Sequence, residues 1–218
     1  ISLGLVGSEM CIRDSTYSTL ILAGNNSYAG PTSISAGTLQ IGNDGATGTL
    51  GSGPVSIASG ATLRFDRTGT VEVANDISGA GSLVINGTAL TDVVTLSGAN
   101  TFTGGVSVTA GSLRITDAAQ LGDGAKNIAI TGGAAALRLD GSGGDIELPS
   151  SFRILTGNPN GAIINEAGDN HIGGIVTIYS TGGNTRLTSL AGTLTIDGAV
   201  APNVSGRSLD LNGAGNGV

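Results

Sequence analysis

The residues able to do chemistry are few. His171 is the only histidine and Lys126 the only lysine in 218 residues. With Asp169 close by and a serine such as Ser180, His171 offers the parts of a hydrolase triad, in which a base takes the proton of a nucleophilic hydroxyl. No Gly-x-Ser-x-Gly turn surrounds any serine, so His171 is expected in a polar turn before Ile172 instead. Arg64, Arg114 and Arg138 each stand between two apolar residues, and Asp66 and Asp140 follow two of them at i+2, on the same side of a strand. A lyase acting on acidic polysaccharide needs such groups converging on one outer face, together with carboxylates for calcium. The bland alternative is a solvated Arg–Asp pair worth less than about 1 kcal/mol. Gly42-Asn43-Asp44-Gly45 and Gly143-Gly144-Asp145 have the residue types of calcium-binding turns, but each occurs singly and reads as a plain turn. General acid–base work needs a titratable group tuned toward neutral pH. This inventory leads to the expectation of no catalytic residue, no cofactor and no metal ligand.

The elements that must position these residues come from a repeat. Leu22–Ile41, LAGNNSYAGPTSISAGTLQI, returns without a gap as Leu96–Ile115, LSGANTFTGGVSVTAGSLRI, at an offset of 74 residues with nine identities. A shorter motif recurs inside and beyond it: Gly or Ala, a small residue, Leu, any residue, a large apolar residue. Its leucines are Leu39, Leu63, Leu83, Leu113, Leu137 and Leu194, with a frayed copy at Leu209. Apolar and polar positions alternate, which is strand period. One short strand cannot offset its ordering entropy alone, but stacked coil on coil it can. Leu39, Leu63 and Leu83 are expected to form an internal aliphatic stack. Gln40, Arg64, Arg114 and Arg138 are expected to be exposed. A leucine-rich repeat would need a helix-compatible half, and 39 glycines leave little room for one. The reading is all-β, a parallel β-helix solenoid of roughly eight to ten coils. Asn26 and Asn100, each two residues before an aromatic, are expected to satisfy turn backbone groups with their amides.

Composition narrows the partners. The net charge is −7, charged residues make up 11% and aromatics 3%. Such a chain has nothing with which to neutralise a phosphate backbone, so nucleic acid is excluded as an expected partner. No apolar run is long enough to span a membrane as a helix.

Residues 1–15 stand apart. They hold the only Met and the only Cys and carry no trace of the repeat. Leu5 to Asp14, LVGSEMCIRD, resembles the in-frame translation of a transposon-based sequencing-library adapter. The domain reading is therefore 1–15 as a sequencing or assembly artefact outside the fold, and 16–218 as a β-helix segment. Without Cys11 the chain has no cysteine, which rules out disulfides and cysteine metal sites and suits passage through an oxidising compartment. Asp140 to Pro159 is the least regular stretch, read as coils with longer turns or a small side loop. The pattern runs to Val218 with no cap in view, so a fragment without caps is expected.

LILAGNNSYAGPTSISAGTLQIGN and VTLSGANTFTGGVSVTAGSLRI resemble the autotransporter-associated β-strand repeat, and INEAGDNHIGGIVTIYSTGGNTRLTSLAGTLTIDGAV is similar to a second pattern of the same passengers. The resemblance implies a right-handed parallel β-helix in the passenger of a Gram-negative autotransporter. It implies export through an outer-membrane β-barrel of the same full-length chain, and a place at the cell surface. A structural, surface-display passenger with an adhesive role follows, with a host or cell-surface glycan or protein as partner. The alternatives are a β-helix carbohydrate-active enzyme of lyase or hydrolase type, and a glycan-binding module. Arginines and carboxylates converging on one face would favour the enzyme. A loop from 140–160 folded over that face would favour binding.

Overall fold

The computed structural model describes residues 18–158, 160, 162–179 and 184–214 with their side chains, and the backbone of Gly4–Val6, Glu9–Ile12 and Asn216–Gly217. The chain winds as a parallel β-solenoid with three faces. Apart from two short 3-10 turns, Ala118–Leu121 and Gly141–Gly143, the described residues contain no helix.

The first face is a parallel ladder nine strands deep: Thr19–Leu22, Thr38–Gly45, Thr62–Arg67, Ser82–Asn86, the first part of Val106–Ile115, Lys126–Ile130, Phe152–Thr156, Val176–Ile178 and Val200–Pro202. At the usual interstrand spacing this is a rod about 40 Å long. The second face stacks Thr70–Val73, Val93–Leu96, the second part of Val106–Ile115, Ala135–Asp140, Ile163–Ala167, Thr185–Ser189 and Leu209–Asn212. Val106–Ile115 therefore turns the corner between the two, pairing through residues 106–108 on one side and 111–115 on the other. The third face is two shorter ladders. Thr32–Ile34, Val55–Ile57 and Ile77–Gly79 form the first; Glu147–Leu148, Asn170–Ile172, Thr193–Ile196 and Asn216–Gly217 form the second. Between them the chain bulges inward at Phe102 and Leu121, both fully buried. Glu9–Ile12 pairs parallel with Thr32–Ile34 and antiparallel with Gly4–Val6, at the edge of the first of these ladders.

The expected stack exists. Leu39, Leu63 and Leu83 face one another in register and are wholly buried, with Ile41, Phe65 and Ile85 in a second row beside them. Leu113 and Leu137 are equally buried, but they stack on the second face, where the row continues to Ile163 and Leu187. The leucine motif changes face at the 30-residue step from Leu83 to Leu113, and Leu194 carries it onto the third face. The rung above Leu83 is filled by Val106.

The expected exposure of the intervening polar residues is corrected. Gln40 is buried because its Nε2 turns back to donate to the Gly42 carbonyl at 3.0 Å. The side chains of Arg64 and Arg114 keep about a third of their surface, and Arg138 only 16%, because each lies flat against neighbouring coils. An outward strand position on a solenoid is roofed by the strands above and below, so long side chains there are half-covered.

Turns are held by side-chain amides. Asn26 Nδ2 donates to the carbonyls of Gly24 and Thr49, and Asn100 accepts from Ile77 N and donates to Gln120 O. Asn75, Asn165 and Asn170 do the same work in other coils. Residues 140–158 supply regular rungs of the third and first faces rather than a side loop; Pro159 lies outside the described residues.

Candidate functional site

Charged side chains gather on the outside of the second face. Arg114 and Arg138 sit directly opposite each other in adjacent rungs, an arrangement that repels unless an anion intervenes. Glu166 intervenes. Its Oε2 accepts from Arg114 Nε at 2.8 Å and its Oε1 from Arg138 Nη1 at 2.7 Å. Arg114 also pairs with Asp140, and Arg138 Nη2 donates to the Leu90 carbonyl at 2.8 Å. Glu166 reaches this place through a register shift, at which Asp140 faces Ala167 and the extra residue is extruded.

Of the two i+2 pairs, one forms. Arg64 Nη2 meets Asp66 Oδ2 at 2.6 Å, whereas Asp140 turns to Arg114 across the ladder and not to Arg138. Burial pushes the Asp140 carboxyl upward, but the Ser142 hydrogen bonds and the Arg114 charge outweigh it and hold it below the ordinary range. A carboxylate so held is a poor proton carrier near neutral pH.

The turn that precedes Val93–Leu96 is tied to this face through Asp92, which is buried. Its carboxylate accepts from Gly69 N, Thr88 N, Thr88 Oγ1 and Ala89 N at 2.7–2.8 Å. Burial raises its pKa, and those four donors more than reverse the effect. Neither Glu166 nor Asp92 stood out in the sequence. Both are single acids with no motif around them, and only the register shift in the strand at Glu166 and the turn conformation at Asp92 bring donors to them.

His171 lies elsewhere, on the third face, between Glu147 and Thr195 in the ladder. Its Nδ1 is 3.1 Å from Asp197 Oδ2 and its Nε2 3.9 Å from Glu147 Oε1. The hydrogen bond to Asp197, with Glu147 and Asp145 nearby, raises its pKa. Asp169 is not its partner. Its Oδ1 accepts from Thr193 N, while its own N–H donates to Asp145 Oδ1. Ser180 lies outside the described residues. Asp44, in the first candidate calcium turn, has a left-handed backbone (φ 54°) and a pKa raised by hydrogen bonding to Asp66. Asp145, in the second, serves the Asp169 turn. Among the described residues no three His, Cys, Asp or Glu side chains gather to hold a metal ion.

The arrangement is a rod with linked ion pairs on one face and hydrogen-bonded turns at its corners. Two of its segments, residues 18–41 and 91–115, match the Passenger-associated-transport-repeat family. The chain is also 48% identical over 63 residues to the "Adhesin BmaC autotransporter" of Brucella suis biovar 1 (strain 1330). That match takes in 29% of this chain and 2% of the adhesin, so the chain spans a small fraction of its relative's length. No solved structure matches. The stacked-coil fold and the two repeats make the chain similar to passenger sequence of autotransporters. No helix among the described residues is long and apolar enough to cross a membrane, which says nothing of a β-barrel.

Proposed function

We propose that this chain is a non-enzymatic passenger segment that holds other parts of a longer protein away from the cell and contributes adhesion through its sides. The observation that carries this reading is the uninterrupted nine-strand ladder, which makes a stiff rod out of coils that cannot fold singly. The similarity to an adhesin supports the adhesive part. The partners proposed are an outer-membrane β-barrel in the same full-length chain and a host or cell-surface glycan or protein. Residues 1–15 are proposed to be adapter-derived and outside the functional segment.

A second reading, a carbohydrate-active enzyme, draws on Arg114, Arg138, Asp140 and Glu166 converging on one face. The ion pairs argue against it, since each carboxylate of the cluster is already held by an arginine. The test is direct. Residues 16–218 are purified, coated on beads and offered to cells, and in parallel incubated with polyuronates and ester substrates with and without calcium. Bead adhesion without turnover supports the passenger reading. Turnover abolished by Glu166→Gln would replace it with the enzyme.

A further inference from the structure

A shallow depression of about 330 Å³ opens where three successive coils turn from the third face into the first. Thr103, Gly105, Asn127, Ser151 and Arg153 line it, with Lys126 in its wall. Thr103, Asn127, Ser151 and Arg153 are exposed, and Arg153 stands directly above Asn127 in the ladder. Gly105 brings no side chain, which keeps the floor open.

Arg153 differs from the arginines described above. Arg64, Arg114 and Arg138 are paired with carboxylates, and Arg67 is buried against the carbonyls of Gly48 and Ala46. Arg153 has no such partner among the described residues and is exposed. It is a free cation on a chain of net charge −7. Around it are two hydroxyls and an amide, carried on coils spaced about 4.8 Å apart, so the lining repeats along about 10 Å of rod. No aromatic ring serves as a platform. Phe102 and Phe152, the rings nearest in sequence, are buried inside the coil against Lys126. A neutral sugar is commonly held by stacking on such a ring, whereas an acidic one can be held by a guanidinium fork and hydroxyl donors.

We propose that this depression binds a short acidic oligosaccharide, its carboxylate or sulfate on Arg153 and its hydroxyls on Thr103, Asn127 and Ser151. The choice of a saccharide rests on the surface-passenger reading. A short ligand is favoured over a long polyanion because the acidic body of the rod repels extended negative charge.

The experiment titrates purified chain with trigalacturonate, with a sulfated disaccharide from heparin and with neutral maltotriose, followed by calorimetry. Saturable binding of trigalacturonate alone assigns a carboxylate; binding of the sulfated probe alone assigns a sulfate; either supports the proposal. Arg153→Gln is expected to weaken that binding at least about tenfold, and Arg186→Gln to leave it unchanged, with thermal unfolding confirming that both variants fold. Equal binding of maltotriose, full binding by Arg153→Gln, or no saturation with either acidic probe overturns it. Surface display is read separately, by antibody labelling of intact cells, so either reading can fail without the other.

Discussion

Leu39 and Leu113 hold the same place in the two copies of the repeat, yet they stack on different faces of the rod. Leu39 lies under Leu63 on the first face, and Leu113 under Leu137 on the second. Three coils above Leu39 the first-face rung is Val106, and Leu113 follows it around the corner. The 74-residue repeat is thus three coils plus one face. What repeats is a strand–turn–strand unit that serves two different corners, because the first and second faces both take an inward leucine after a small residue.

Leu113 and Arg114 separate inner from outer contributions. Leu113→Ala is expected to cost about 2–5 kcal/mol, as truncation of a fully buried leucine does. Arg114→Ala is expected to cost about 1 kcal/mol, discounted for partial exposure, and the loss should shrink in high salt. Urea unfolding of both variants at two ionic strengths measures this. Equal costs at the two positions would contradict the assignment of faces.

Lys126 gives a test in base. Its ammonium is buried, donates to the carbonyls of Phe102 and Leu121, and lies 4.2 Å from the centre of the Phe102 ring. Burial lowers its pKa from 10.5 to about 8, against a smaller opposing effect of Asp123. Below about 8 the ammonium is charged in both folded and unfolded chains, and the burial cost is fully present. As pH rises toward 10.5 the folded chain releases its proton first, so stability climbs and then levels. Wild type should gain stability over this window relative to Lys126→Met; parallel curves for the two proteins would refute the shift.

Asp92 gives the matching test in acid. Its folded pKa is depressed, so its contribution is present above the unfolded value of about 3.8 and is lost as pH falls through the folded one. Asp92→Asn cannot accept from all four donors and is expected to cost about 1–3 kcal/mol at neutral pH. The variant should also lose less than wild type on further acidification. Denaturant titrations at pH 7 and in the acid range measure both effects, and an unchanged variant at neutral pH would count against the turn-holding role.

Deletion of residues 1–15 is expected to leave the melting temperature unchanged within error. The segment shares no periodicity with the coils, although Glu9–Ile12 runs beside Thr32–Ile34. A fall of several degrees in calorimetry would instead make it an edge cover of the third face and end the adapter proposal.

The fold was legible because its signal is redundant. An inward leucine recurs at near-regular spacing in the first coils, so Leu39, Leu63 and Leu83 could be stacked from spacing alone. The face change at Leu113 was hidden in that same redundancy, visible only as a step of 30 residues where the steps on either side are 20 and 24. The charged cluster was half legible. Arg114 and Arg138 stood out as outward positions, but their partners are set across coils, and Glu166 arrives through a register shift that no spacing announces. Arg138 was expected beside Asp140 because i+2 neighbours share a strand side; the ladder neighbour is nearer and took the pairing.

The hydrogen bonds of the ladders run from coil to coil, parallel to the long axis of the rod. A pull from end to end therefore loads them head-on and a few at a time, and the end coil peels before the next is strained. A sideways load is shared by all three faces and by the packed leucines. The group of Arg114, Asp140, Arg138 and Glu166, which ties three coils and reaches back to Leu90 in a fourth, acts as a rivet in such a column: tearing that began at one end would pause there until salt or acid loosened it.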